Sequence, residues 1–380
     1  MKCRLAMLTE IISPYRIPLF NALAQQEELD LQVIFLAETD PELRQWQVYR
    51  EEIKFPYVVL PSWRKRVGGF NLLLNRGVGS ALRNAAPNAI LCGGYNYFAS
   101  WQALFWARSR RIPFLLWSES NLQDQRHGHA AVEMLKEEFF RLCGGFVVPG
   151  KSAADYLRAH KIKDELIFTA PNAVDNNFFA AGAAAARQQA DVHRRELNLP
   201  DRYFLFVGRL VAAKGVFDLQ AAYAKLDERT RQRVGLVFVG DGAVRGQLER
   251  EAATISPGVI KFAGFVQREQ LPTYYALAEM LILPTHSDTW GLVVNEAMGC
   301  GLPVILSSVA GCAADLVREN WNGLLIPPKD VTFLASAMQS VASSQKLSAS
   351  MGANSTTHIT RYSPQEWSQA IVRAIMSEAA

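Results

Sequence analysis

At 380 residues the chain exceeds what one hydrophobic core normally organises, so two domains are expected. Hydrophobic residues at 49% and charged residues at 20% exclude a fibrous or low-complexity chain. The formal net charge of +4 is too weak to indicate nucleic acid and is compatible with anionic small substrates or an anionic membrane surface.

Short apolar runs alternate with longer amphipathic ones along the chain. Strands are predicted at 4–9, 31–36, 57–60, 89–92, 114–117, 145–148 and 165–169, then at 203–207, 236–239, 259–262, 280–283, 304–306 and 324–326. Most are nearly continuous apolar runs, as expected of parallel strands covered by helices on both faces. Strand and helix in alternation imply right-handed crossovers and doubly wound sheets. The pattern restarts near Pro171-Asn172-Ala173-Val174-Asp175, where Asn and Asp suit a structural turn. The Ala-rich segment 180–186 reads as helix surface, 188–197 as a polar helix and 364–378 as a last helix.

The cysteines, Cys3, Cys92, Cys143, Cys300 and Cys312, are scattered and not in metal-ligand spacing, which suits a reducing compartment. Lys2 and Arg4 precede an apolar run that Glu10 interrupts, so no signal peptide is expected. No stretch approaches the ~18 apolar residues of a membrane span. The expected location is cytoplasmic, with peripheral docking at the inner membrane face as an option.

In the first half, Thr9-Glu10-Ile11-Ile12-Ser13-Pro14-Tyr15-Arg16 follows the first strand, and Arg16 is either an acceptor-side cation or a surface residue. Trp63-Arg64-Lys65-Arg66, followed by Gly68-Gly69, is a basic cluster that could meet lipid, although a solvated loop is the more ordinary reading. Glu119 follows the strand at 114–117 and could orient a hydroxyl or accept a proton; a helix cap or ion pair is the alternative. His127 and His129 lack further Cys or His nearby and make a poor zinc site.

In the second half, Gly208-Arg209-Leu210-Val211-Ala212-Ala213-Lys214-Gly215 follows a buried strand. Ligands of open α/β sheets bind at the carboxyl ends of strands. Two cations there would neutralise a diphosphate and the charge growing on it as a bond breaks. Val239-Gly240-Asp241-Gly242 is a strand-end turn in which Asp241 either meets ligand or caps its turn. Phe262-Ala263-Gly264-Phe265-Val266 ends another strand.

The richest stretch is 287–304, Ser-Asp-Thr-Trp-Gly-Leu-Val-Val-Asn-Glu-Ala-Met-Gly-Cys-Gly-Leu-Pro-Val. Asp288 and Glu296 stand eight positions apart, with Gly291 between them where a helix should begin. The helix start at Gly291, Leu292 and Val293 offers N–H groups and a positive dipole end to a phosphate. Glu296 on the helix could accept ribose hydroxyls, and Asp288 in the loop could accept those of a sugar.

This stretch resembles the E-x7-E motif of glycosyltransferase family 4, with Asp288 in place of the first Glu, one methylene shorter. The resemblance implies a GT-B fold: two Rossmann-like domains facing across a cleft. The implied boundaries are an acceptor domain at 1–172, a donor domain at 173–359 and a helix at about 360–380 crossing back to the first. It implies retaining, metal-independent transfer of a hexose from a UDP- or GDP-sugar to an acceptor hydroxyl, in polysaccharide, lipopolysaccharide or other glycoconjugate assembly, without cofactor. Gly208, Arg209, Lys214, Asp241, Val266, Asp288, Gly291, Leu292, Val293 and Glu296 are then the donor residues. Arg209, Lys214, Asp288 and Glu119 would act in catalysis, with Glu119 at or near a family histidine, and the leaving phosphate may itself take the acceptor proton. A sugar or lipid-linked acceptor would meet the first domain near Arg16, which lacks the paired glycines of many relatives. A non-catalytic scaffold of the same fold and a nucleotide-sugar epimerase are the alternatives.

Overall fold

The computed structural model describes residues 2–42, 44–67, 70–123 and 130–379. His127, His129, Gly68 and Gly69 lie outside the described residues. The chain divides into two compact units, Met1–Val174 with Ser363–Ala380, and Asp175–Tyr362.

The first unit contains β1 (Cys3–Thr9), β2 (Leu29–Phe35), β3 (Tyr57–Val59), β4 (Ser62–Val67), β5 (Phe70–Asn75), β6 (Ala89–Gly93), β7 (Phe114–Trp117), β8 (Gly145–Val148) and β9 (Ile167–Thr169). Seven of these form one sheet in the order β3-β2-β1-β6-β7-β8-β9, and every pairing is parallel. The central strands are buried on both faces, which is why they read as unbroken apolar runs. One hydrophobic cluster lies on each side of the sheet. The last helix, Pro364–Ala379, packs on the helix Ile17–Ala24, where Trp367 meets the rings of Phe20 and Trp117.

The second unit holds β10 (Tyr203–Val207), β11 (Gly235–Val239), β12 (Ile260–Gly264), β13 (Met280–Leu283), β14 (Val304–Ser307) and β15 (Gly323–Ile326). They pair in parallel in the order β12-β11-β10-β13-β14-β15. Both sheets therefore run outward in one direction from their first strand and then reverse. Each reversal, β1/β6 and β10/β13, opens a crevice at the carboxyl ends of its strands, the usual ligand position in such sheets. The architecture is α/β and of the GT-B class.

Two readings from sequence are corrected here. The basic cluster at 63–66 is not a solvated loop but strand β4, paired antiparallel with β5. Alternation sends Arg64 and Arg66 to one face, where Arg64 binds Glu10 at 3.0 Å and Asp40 at 2.6 Å, and Arg66 binds Asp40 at 2.9 Å and Glu42 at 2.7 Å. Asp40 is almost wholly buried, so these partners are what allow its charge there. The strand predicted at 165–169 is shorter, because residues Asp164–Leu166 form a 3-10 turn before β9.

Candidate functional site

Four strand ends of the second unit interlock through their backbones. Gly208 N–H donates to Val239 O at 2.9 Å, Leu210 N–H to Asp241 O at 2.9 Å, and Gly240 N–H to Gly264 O at 2.7 Å. Across the β10/β13 reversal, His286 N–H donates to Ala213 O at 2.9 Å and the Thr285 hydroxyl to the same carbonyl at 3.1 Å. The His286 ring meets Asp218 at 2.6 Å. Gly215 has φ +68°, and a Cβ there would lie 2.0 Å from Pro284 O. Only glycine permits this approach of the loop after β10 to the end of β13.

The result is a rigid rim that carries the charged residues. Lys214 makes an ion pair with Asp288, joining the two loops directly. Asp288 is fixed from behind, because its carbonyl accepts from Gly311 N–H at 3.0 Å and Trp290 O accepts from Cys312 N–H at 3.2 Å. Arg209 is exposed, and its guanidinium takes no hydrogen bond or ion pair among the described residues. The two cations therefore differ: Lys214 is paired with a carboxylate, and Arg209 is exposed with no ion pair among the described residues.

Gly291 (φ +103°) ends this loop and caps the helix Leu292–Gly299. A Cβ there would lie 3.2 Å from Leu283 and 3.7 Å from the Asp288 carboxylate. The first N–H groups of the helix, at Leu292 and Val293, thus open beside Asp288, with no intrahelical acceptor. The Trp290 indole donates to the buried Asn295 at 2.9 Å and locks the turn to the helix.

Glu296 points from the helix to Tyr275, whose hydroxyl donates to its Oε2 at 2.6 Å. Burial pushes the Glu296 carboxyl up to about 7, opposed by the Tyr275 hydrogen bond. Burial, with the neighbouring carboxylate, also holds the Tyr275 phenol well above its ordinary range. Near neutral pH this acid is poised between its two forms, and hydroxyl donors brought to it would favour the charged one.

Gly208, Arg209, Lys214, Asp241, Asp288, Gly291, Leu292, Val293 and Glu296 all lie at strand ends β10, β11 and β13 or on the helix that follows β13. Asp241 is held within its own turn, accepting from Gly242 N–H at 2.7 Å and pairing with Arg245 at 3.7 Å. Val266 follows edge strand β12, two strands away from β10. Tyr275, Asp218, His286, Asn295 and Trp290 were not anticipated from sequence. The partners of Tyr275, Asp218 and His286 lie 21 and 68 positions away, whereas Trp290 and Asn295 pair across five positions inside the 287–304 stretch.

In the first unit, Arg16 and Glu119 flank the β1/β6/β7 strand ends. Arg16 lies 4.4 Å from the Trp117 ring centre and pairs with Glu119 at 3.3 Å and Thr9 at 3.2 Å. Asn172 donates to the same Glu119 oxygen at 3.3 Å. Glu119 thus belongs to an ion pair, and Asn172 is a structural partner within this unit. Asp175 caps the helix Asn176–Gln188 by accepting from Phe178 N–H at 3.0 Å. Among the described residues no group of His, Cys, Asp and Glu could hold a metal ion, and the five cysteines are free thiols.

Residues 188–358 match the family model described as glycosyl transferases group 1. The chain carries a glycosyltransferase group 1 domain. This domain lies within the second unit and contains every residue of the rim described above. An uncharacterized glycosyltransferase, MJ1607 of Methanocaldococcus jannaschii, is 34% identical over 155 residues, which are 40% of this chain and 38% of that protein. A GDP-mannose-dependent alpha-mannosyltransferase of Corynebacterium glutamicum is 30% identical over 261 residues, 67% of this chain and 58% of that protein. The chain thus spans 38% and 58% of the length of these two relatives. Anabaena Alr3699/HepE, solved in complex with UDP, superposes with TM-score 0.75 at 19% identity over 99% of this chain and 100% of that one. At that identity the likeness concerns the fold.

Proposed function

We propose that this protein transfers a hexose from a UDP- or GDP-sugar to an acceptor hydroxyl with retention of configuration. The observation that carries the reading is the open Arg209 guanidinium on the rim where the Lys214–Asp288 pair and the start of the helix Leu292–Gly299 converge. A sugar diphosphate places hydroxyls next to a phosphate, and the rim places a carboxylate next to an ammonium. Asp288 accepts sugar hydroxyls, Lys214 and Arg209 hold the diphosphate, and the N–H groups of Leu292 and Val293 add donors to it. Glu296, charged and steadied by Tyr275, accepts the ribose hydroxyls.

As the glycosidic bond breaks, negative charge grows on the departing diphosphate. Arg209, Lys214 and the helix start stabilise that charge more strongly than the ground state, which is the catalytic contribution. The departing phosphate takes the acceptor proton on the same face. Glu119 pairs with Arg16 and serves to position rather than to abstract that proton. The acceptor, a sugar or lipid-linked sugar of a growing glycoconjugate, meets the first unit near Arg16. The GDP-mannose-dependent and UDP-bound relatives support a nucleotide-sugar donor and leave the base open.

Nuclear magnetic resonance of the product formed from an α-configured donor tests the reading. An α-linked product is expected. A β-linked product would overturn retention, and sugar epimerisation without acceptor would favour the epimerase alternative.

A further inference from the structure

Charge is distributed unevenly along the first unit. From Ile53 to Ser118 the chain contains no Asp or Glu, although the whole chain has 36. The same stretch carries nine cations: Lys54, Arg64, Lys65, Arg66, Arg76, Arg83, Arg108, Arg110 and Arg111. Arg64 and Arg66 are neutralised by Glu10, Asp40 and Glu42 from outside the stretch. The other seven are exposed, and none makes an ion pair among the described residues.

The hairpin β4–β5 and the helix Phe98–Arg110 pack together within this stretch. Leu73 of the hairpin and Ala99, Ala103 and Ala107 of the helix share one buried cluster, so the opposite faces of both elements turn outward. On the hairpin that outward face pairs Trp63 with Leu74 and Lys65 with Leu72. Trp63 is 53% exposed, Leu72 43% and Leu74 39%. On the helix, Phe98, Trp101, Phe105 and Arg108 fall on one stripe at intervals of three and four residues. Phe98 is 58% exposed and Phe105 56%. Trp63, Leu72, Leu74, Phe98 and Phe105 are therefore exposed on elements that also carry cations without ion pairs and no carboxylate, while Trp101 packs partly on Phe139.

We propose that the outward surfaces of the hairpin and of the helix packed against it dock onto an anionic lipid bilayer surface. Aromatic rings with arginine and lysine at the edge are the composition that settles at a membrane interface. The acid-free stretch complements an anionic headgroup layer, whereas a second copy of the same face would repel it. Exposed Leu72 and Leu74 favour acyl chains over nucleobases. Among the described residues no helix is long and apolar enough to cross a membrane, so contact through this face is interfacial. Arg64 also links the hairpin to Glu10 at the carboxyl end of β1, beside the crevice of this unit's sheet. A docked molecule would therefore meet lipid-borne acceptors near that crevice. The docking itself does not depend on the proposed transfer reaction.

Co-sedimentation of the full chain with phosphatidylcholine vesicles, with and without phosphatidylglycerol, tests this. Pelleting is expected only with phosphatidylglycerol and should weaken with salt. Two triple variants, W63S/F98S/F105S and K65E/R108E/R110E, should each reduce it about tenfold or more. Nucleotide-induced thermal stabilisation should remain unchanged in both, which separates loss of docking from misfolding and from failure of the donor site. Equal binding to neutral vesicles, or binding retained in both variants, would overturn the proposal. Self-association or oligonucleotide binding abolished by the same substitutions, without vesicle binding, would overturn it in favour of a second copy or a nucleic acid.

Discussion

The two units share a sheet order but not a use of charge. Around the β10/β13 reversal, backbone contacts and Gly215 bring the loops together, which leaves Arg209 open. In the first unit, backbone contacts such as Ala37 N–H to Glu10 O at 2.8 Å are joined by side-chain pairs: Arg16 with Glu119, and Arg64 with Glu10 and Asp40. Both rims combine backbone contacts with ion pairs, but in the second Arg209 makes no ion pair among the described residues, whereas Arg16 and Arg64 of the first are both taken up in pairs. On the proposed reading, the second unit takes the diphosphate and the first the acceptor. The family match falls within the second unit.

The largest effect expected from breaking this contrast is kinetic. Arg209→Ala or Lys214→Ala should lower kcat/KM by about 10²–10³, as loss of one donor to a developing charge typically does. Arg16→Ala should leave nucleotide affinity intact, since its partners all lie in the first unit. Steady-state kinetics beside nucleotide titration separates the two; similar losses of nucleotide affinity in all three variants would erase the distinction.

Next comes the backbone itself. Gly215→Ala forces a Cβ against Pro284 O at a positive φ and should destabilise the protein by about 2–4 kcal/mol. Denaturant titration checks this, and a change below about 1 kcal/mol would mean that the loops are not locked as described.

The pH dependence should be smaller but more specific. The Glu296 carboxyl is raised from 4.5 to about 7, so the ligand-free folded protein binds this proton more tightly than the unfolded chain. Its contribution to stability is full at low pH and is lost as pH rises from about 4.5 to about 7. Nucleotide binding runs the other way, because ribose hydroxyls need the ionised form, and should strengthen as pH rises through about 7. Tyr275→Phe removes a hydrogen bond that favours the ion, so the midpoint of binding should move to higher pH. Affinity titrations across that range test this, and an unchanged midpoint in Tyr275→Phe would mean that the hydroxyl does not steady Glu296.

The smallest effect sets the scale. Arg158 pairs with Asp164 and Asp155 on the exposed surface, and Arg158→Ala should leave the melting temperature essentially unchanged.

Much of this molecule was legible in its residues because buried parallel strands read as apolar runs. The strands at 114–117, 145–148, 203–207 and 280–283 appear where those runs lie. The hairpin β4–β5 was not legible. Its alternation is hidden in Trp63-Arg64-Lys65-Arg66, where the inward residues are arginines satisfied by Glu10, Asp40 and Glu42. Glu296 could be singled out from its spacing to Asp288, but its partner Tyr275 lies on another helix and leaves no periodic trace. Lys214 and Asp288 were each assigned a ligand, yet their pairing with one another depends on the strand order, which sequence does not print.

The most direct test is thermal stabilisation by UDP, GDP, ADP and their sugar conjugates, with wild type beside Arg209→Ala and Glu296→Ala. A ligand that binds only the folded state must raise Tm. One nucleotide class should raise it in the wild type and fail to do so in both variants. No shift with any nucleotide, or the same shift in all three proteins, would contradict a donor site on the rim of the second unit.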